Sequence, residues 1–144
     1  MKNDMPQQLD QQLCFALYST SLAMTQTYKE PLAEIGLTYP QYTVMLILWH
    51  NDGVSLKHLS QRLGPKPGAL TPVIKRMEAD GLVIRRRGLE DDRSLSIELT
   101  DKGRALSKKA AKVGECIANA CGMDHEEMSS LHQQLIALRE KLSQ

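Results

Sequence analysis

The stretch that decides the fold begins Ser55-Leu56-Lys57-His58-Leu59-Ser60-Gln61-Arg62-Leu63 and breaks at Gly64-Pro65. It resumes through Leu70-Thr71-Pro72-Val73-Ile74-Lys75-Arg76-Met77-Glu78-Ala79 and closes at Asp80-Gly81. Ser55 is a fitting N-cap, and Leu56, Leu59 and Leu63 form a one-sided helical stripe. A second helix is expected over residues 67–79, with Leu70, Val73, Ile74 and Met77 on its buried face. Gly81 suits the position just past a helix end. Two short helices joined by a tight turn, the second carrying Thr71, Lys75 and Arg76, is the helix-turn-helix layout.

Reading onward, Leu82-Val83-Ile84-Arg85-Arg86 has strand propensity. In Ser94-Leu95-Ser96-Ile97-Glu98-Leu99, apolar residues alternate with polar ones. The polar run Arg87-Gly88-Leu89-Glu90-Asp91-Asp92-Arg93 between them reads as a loop, so a β-hairpin wing follows the second helix. The charge is concentrated here. Residues 54–112 hold fourteen Lys/Arg against seven Asp/Glu, whereas the remainder holds four against ten, inside a net charge of only +1. Lys57, Lys75, Arg76, Arg85, Arg86, Arg87 and Arg93 are the candidate cations. A charge cluster alone is usually a solvated face. On a helix-turn-helix with a wing it matches duplex DNA, where each phosphate neutralised releases counterions and the helix and wing reach different grooves.

The flanks complete a mainly α-helical chain with a small hairpin. Residues 9–29 read as one helix, broken by Pro31 and Gly36. Thr38-Tyr39-Pro40 starts a second helix, apolar nearly all round through Val44-Met45-Leu46-Ile47-Leu48-Trp49, and Asn51-Asp52-Gly53 ends it. Thr100 caps a long helix to about residue 120. Asp124 caps a last one bearing Met128, Leu131, Leu135, Leu138 and Leu142. The first and last helices both carry apolar stripes that one small domain cannot cover, so a homodimer built from the chain ends is expected. The organisation is then one domain over 1–144, a DNA-reading part over 54–100, and dimerisation helices over 1–30 and 101–144.

Several classes fall away. No run of about 18 apolar residues marks a membrane span, and the polar start lacks a signal peptide's apolar stretch, so a cytoplasmic protein without membrane association is expected. Three cysteines show no disulfide-framework spacing. No phosphate loop, HExxH or CxxC pair is present, so neither a cofactor nor a conventional catalytic motif is expected. Cys116, Cys121, His125 and His132 have zinc-binding residue types, but their spacing matches no common site and no metal is expected. The aromatic residues are skewed: all six (Phe15, Tyr18, Tyr28, Tyr39, Tyr42, Trp49) lie in residues 15–49.

The order of elements, with Leu70-Thr71-Pro72-Val73-Ile74-Lys75-Arg76-Met77-Glu78, Gly81-Leu82-Val83, Asp91-Asp92-Arg93-Ser94 and Leu99-Thr100-Asp101-Lys102-Gly103, resembles the MarR family of winged helix-turn-helix regulators over almost the whole chain. Leu13-Cys14-Phe15-Ala16-Leu17-Tyr18, Tyr28-Lys29 and Leu37-Thr38-Tyr39-Pro40-Gln41-Tyr42 look like its organic-hydroperoxide-sensing, OhrR-type branch. The resemblance implies a repressor whose Cys14 is the peroxide-reactive thiol, hydrogen-bonded by Tyr28 and Tyr39. It implies organic hydroperoxides as inducer and, in the two-cysteine members, a second thiol late in the fifth helix that closes an intersubunit disulfide. Cys116 and Cys121 are the candidates for that resolving thiol. One departure is Pro65-Lys66-Pro67-Gly68-Ala69-Leu70-Thr71, where the branch usually reads Leu-Asp-Ser-(small)-Thr-Leu-Thr, so the Asp/Ser cap is absent.

The thiolate is the reactive form of a cysteine, and donors aimed at sulfur favour it. Cys14 and Tyr28 are fourteen residues apart on one expected helix. That is about 21 Å along its axis, so their contact must cross a dimer. Oxidation gives a sulfenic acid that condenses with a nearby thiol. Cys116 and Cys121 lie about 140° apart on a helix and cannot both face one Cys14 unless the helix has ended, and Cys121 is slightly favoured because it stands beside Gly122, where a helix end can move. Phe15, Tyr18, Met45 and Trp49 are candidates for the walls of a hydroperoxide pocket, although the plain reading of such residues is core. Two other readings stand beside the sensor. One is a repressor released by a small aromatic ligand with Cys14 unused. The other is a thiol peroxidase, which leaves the wing unexplained.

Overall fold

The computed structural model describes residues 8–64, 69–87 and 95–144. After a single 3-10 turn at Leu9–Gln11, the described elements are α1 (Leu13–Glu34), α2 (Tyr39–His50), β1 (Val54–Ser55), α3 (Leu56–Leu63), α4 (Leu70–Ala79), β2 (Val83–Arg87), β3 (Leu95–Leu99), α5 (Asp101–Cys121) and α6 (His125–Leu142). The mainly helical winged helix-turn-helix is present as expected from the sequence. The stretches 65–68 and 88–94, and with them Pro67 and Arg93, lie outside the described residues.

Two local expectations need correction. The first helix does not stop at Pro31 but runs through it to Glu34. Pro31 forfeits one bond of the ladder, to the Thr27 carbonyl, and the last turn is nevertheless held by Leu32, whose side chain is fully buried. Termination falls at Gly36, whose φ of 76° lets Gly36 N–H donate to the Ala33 carbonyl and Leu37 N–H to that of Leu32. Leu9–Gln11 belongs to the separate turn. The second correction concerns the sheet, which has three strands in the order β1-β3-β2 rather than two. Val54 and Ser55 pair antiparallel with Ile97 and Ser96, a strand too short to show alternation in sequence.

Other boundaries follow from local chemistry. Thr38 and Gln41 form a reciprocal capping box at α2, as do Asp124 and Glu127 at α6. Ser55 and Thr100 accept from His58 N–H and Gly103 N–H at the starts of α3 and α5. Helix α4, by contrast, begins at Ala69 with no side-chain cap. Its Pro72 falls in the first turn, where an N–H has no helical partner to lose.

The core is one cluster made by α2, α3, α4, the sheet, the middle of α5 and the last turns of α1. Leu32, Val44, Met45, Leu48, Leu59, Ile74, Met77, Val83 and Ile97 are almost wholly inaccessible. Helix α2 is the centre of this core, although its Leu46 points outward. The root of the wing is tied to α5 with little slack. A Cβ at Gly103 would collide with the Leu82 carbonyl, so the backbones meet where only glycine fits. Trp49 Nε1–H donates to the Gly103 carbonyl at 2.9 Å. Asp52 accepts from Leu99 N–H at 2.8 Å and faces Arg104 at 3.6 Å.

The chain ends differ. Only Leu32 is buried on α1, and α6 buries no residue at all. Leu13, Tyr18, Leu22 and Met24 on α1, with Leu131, Leu135 and Leu142 on α6, stand exposed in the single chain.

Candidate functional site: a winged DNA reader and a tyrosine-thiol cluster

The DNA-facing candidates lie on three elements. Helix α4 buries Ile74 and Met77. Its opposite face presents Pro72, Lys75 and Arg76, with Thr71 half-buried beside them. Arg76 makes an exposed i,i+4 pair with Asp80 at 3.5 Å, a contact worth little in water and easily exchanged for a phosphate. Lys57 is exposed in the first turn of α3.

The wing arginines are not equivalent. In the register Val83↔Leu99, Arg85↔Ile97 and Arg87↔Leu95, these residues share the core-facing side of the hairpin; Ile84 and Arg86 share the other. Arg86 Nε sits 2.7 Å from Glu98 across the strands. Arg85 is engaged with Glu78 of α4, which holds the Glu78 carboxyl below the usual carboxylate range. Arg87 is exposed and makes no ion pair among the described residues. Thus Arg85 and Arg86 have intramolecular acidic partners, which charge counting did not reveal.

The second cluster sits where α1, α2 and α5 converge. The ring centroids of Tyr28 and Tyr39 are 5.0 Å apart, and those of Tyr28 and Tyr42 5.6 Å. Tyr42 then meets Trp49 edge-on at 6.4 Å. Tyr42 is the residue the sequence reading left out of its site. Its signal was present, because residues 39, 42 and 49 share one face of a helix. Burial, then the neighbouring Tyr42, Tyr39 and Cys121, pushes the Tyr28 phenol above its ordinary range. Burial and Tyr39 do the same for Tyr42. Both hydroxyls are therefore protonated donors throughout the neutral range.

The cysteines separate cleanly. All three are free. Cys121 continues the buried stripe of Ala110, Val113 and Ile117 on α5, packs against the core and acts electrostatically on Tyr28. Cys116 is exposed. Cys14 is exposed at the start of α1. The helix runs unbroken from Leu13 to Glu34, so Cys14 lies about 21 Å from Tyr28 of its own chain.

The four residues expected to wall a pocket do not converge in one chain. Phe15 and Tyr18 are on the first turns of α1, with Tyr18 exposed. Met45 is fully buried in the core, and Trp49 is anchored on Gly103. A groove of about 580 Å³ lies elsewhere, lined by Tyr39, Pro40, Thr43, Leu63, Leu70 and Val73 among others. Among the described residues no His/Cys/Asp/Glu group suits a metal ion. No described helix is long and apolar enough to cross a membrane.

A helix-turn-helix with a wing and an outward basic face defines a DNA-binding transcriptional regulator. The profile of the transcriptional regulators SarA/Rot matches residues 26–110, and the chain belongs to that family. It is 44% identical over 139 residues to the HTH-type transcriptional regulator TtmR of Methylorubrum extorquens, covering 96% of this chain and 71% of that protein. It is 40% identical over 136 residues to the organic hydroperoxide resistance transcriptional regulator of Bacillus subtilis, covering 94% of this chain and 92% of the relative. Reduced AbfR bound to DNA matches with a TM-score of 0.76 and 33% identity over 94% of this chain and 95% of that one; AbfR is from Staphylococcus epidermidis. The likeness to OhrR-type MarR regulators is borne out, and TtmR and the Bacillus subtilis relative are transcriptional regulators.

Proposed function

We propose that this regulator is a homodimeric repressor that releases operator DNA when organic hydroperoxide oxidises Cys14. The single observation that carries the reading is the separation along α1. A tyrosine-thiol cluster lies near one end of this continuous helix, and the exposed Cys14 lies at the other. An antiparallel meeting of two α1 helices brings Cys14 of one protomer to Tyr28 and Tyr39 of its partner. The exposed apolar residues of α1 and α6 are the surface such a dimer buries. Similarity to an organic hydroperoxide resistance regulator and to a reduced, DNA-bound relative supports the same chemistry.

The Tyr28 and Tyr39 hydroxyls donate to the sulfur and favour the thiolate. The thiolate attacks the distal peroxide oxygen. The O–O bond breaks, the alkoxide takes a proton and leaves as an alcohol, and Cys14 becomes a sulfenic acid. Cys121 then attacks that sulfur, forming a disulfide and releasing water. Cys121 is the better resolving thiol because it packs against the core close to Tyr28, whereas Cys116 lies on the exposed side of α5. Helix α5 carries Cys121 at one end and the root of the wing at the other. Displacing its thiol end therefore moves the wing. On DNA, α4 reads the major groove through Thr71, Lys75 and Arg76, with Lys57, Arg87 and Arg93 adding phosphate or minor-groove contacts.

The test is DNA binding by wild type and Cys14→Ser, each with and without cumene hydroperoxide, on a duplex selected from random sequence by the wild-type protein. The wild type should release the duplex and the variant hold it. A variant that still releases it removes Cys14 from the sensor.

A further inference from the structure

We infer that Glu78 and Arg85 are a positioning pair that sets the wing against the recognition helix, and that Arg85 is not itself a phosphate contact. Glu78 uses both carboxylate oxygens. Its Oε1 lies 3.0 Å from Arg85 Nη2 and accepts from Arg85 Nε–H at 3.2 Å. Its Oε2 accepts from the Arg85 backbone N–H at 3.3 Å. One side chain on α4 thus grips both the side chain and the main chain of β2. That main-chain group belongs to the edge strand of the sheet, where an unpaired N–H otherwise faces solvent.

The location gives the pair its leverage. Only Asp80, Gly81 and Leu82 connect α4 to β2. Gly81, at φ 77°, makes the turn, and Leu82 N–H closes it on the Met77 carbonyl. That turn fixes the root of the wing but leaves its tilt to whatever holds the strand further out. Arg85 stands about 10 Å along the strand from Leu82, so the grip acts at a distance from the pivot. The Arg86–Glu98 pair joins β2 to β3 inside the hairpin and cannot set that tilt. The two side chains of the Glu78–Arg85 pair are only 32% and 35% exposed, whereas Arg86 is 65% exposed. A guanidinium already shared with a carboxylate and only about a third exposed is less free to meet a phosphate. Because α4 and the wing engage different grooves, the angle between them must match the duplex before both can bind.

The experiment measures the affinity of full-length Glu78→Gln, Arg85→Gln, Arg85→Lys and the Glu78→Gln/Arg85→Gln double variant for a duplex selected by the wild-type protein, across a salt titration. Circular dichroism and thermal melts confirm that each variant is folded. A positioning pair predicts that each single variant binds about five- to twentyfold more weakly, with the double no worse than either single. The dependence of log affinity on log salt keeps its slope, because no phosphate contact is lost. Arg85→Lys keeps the charge but loses the two-pronged grip, so it also weakens. A phosphate contact predicts the reverse. Glu78→Gln then binds as well as wild type or better, Arg85→Lys binds nearly as well, and Arg85→Gln lowers the slope by about one. That second pattern overturns the inference, as does simple additivity in the double variant.

Discussion

The winged head and the two end helices carry similar apolar patterns and end in opposite circumstances. In the head, Leu59, Ile74, Met77, Val83 and Ile97 disappear into one core within a single chain. On α6, Leu131 remains 45% exposed and Leu135 39%, and nothing on that helix is buried. Exposed leucines in a regular stripe with no partner in their own chain are the surface that the proposed dimer covers. The head closes its core within the chain, together with parts of α1 and α5, while in the proposed dimer a second copy covers the ends. Cys14, the proposed sensing thiol, lies exposed on α1, one of those end helices.

This contrast is most strongly challenged by placing charge on the α6 stripe. Leu131→Asp combined with Leu135→Asp should give monomers in analytical ultracentrifugation. DNA affinity should fall by about a hundredfold or more, because the two heads no longer bind as one. Persistence of the dimer would move the interface off α6. A smaller effect probes the head. Gly103→Ala forces a methyl against the Leu82 carbonyl, so it should destabilise the protein by about 2 kcal/mol in chemical denaturation. An alanine in an unconstrained helix interior instead gains about 1 kcal/mol over glycine. The sign of this one substitution tells whether the wing root is as tightly tied to α5 as Trp49 and Asp52 indicate.

The sequence disclosed what depends on periodicity and capping. The stripe of Leu56, Leu59 and Leu63, the alternation of Leu95, Ile97 and Leu99, and the caps at Ser55, Thr100 and Asp124 all read directly as structure. It misled at Pro31, where tertiary burial of the next residue outweighed a local helix breaker. It was silent on β1, because two residues show no period. In the candidate site, the Tyr28 and Tyr39 rings lie side by side, and Cys121 is near enough to Tyr28 to raise its phenol; their proposed bond to Cys14 needs a second chain. Three features depended on long-range geometry. Tyr42 joins the cluster only once α1 packs on α2. Met45 turns from candidate pocket wall to core. Arg85 pairs with Glu78, seven positions earlier in the chain, across the turn between α4 and β2. Composition counts charges but does not show which cations are already paired.

In the proposed sensor, Cys14 of one protomer works against Tyr28, Tyr39 and Cys121 of the other. The most direct measurement mixes isotope-labelled and unlabelled protomers, treats the dimers with stoichiometric cumene hydroperoxide, and maps disulfide-linked peptides by mass spectrometry. The account predicts Cys14 joined to Cys121 in mixed-label pairs. Exclusively same-label pairs, a Cys14–Cys116 link, or an unmodified Cys14 in protein that has released DNA would contradict it.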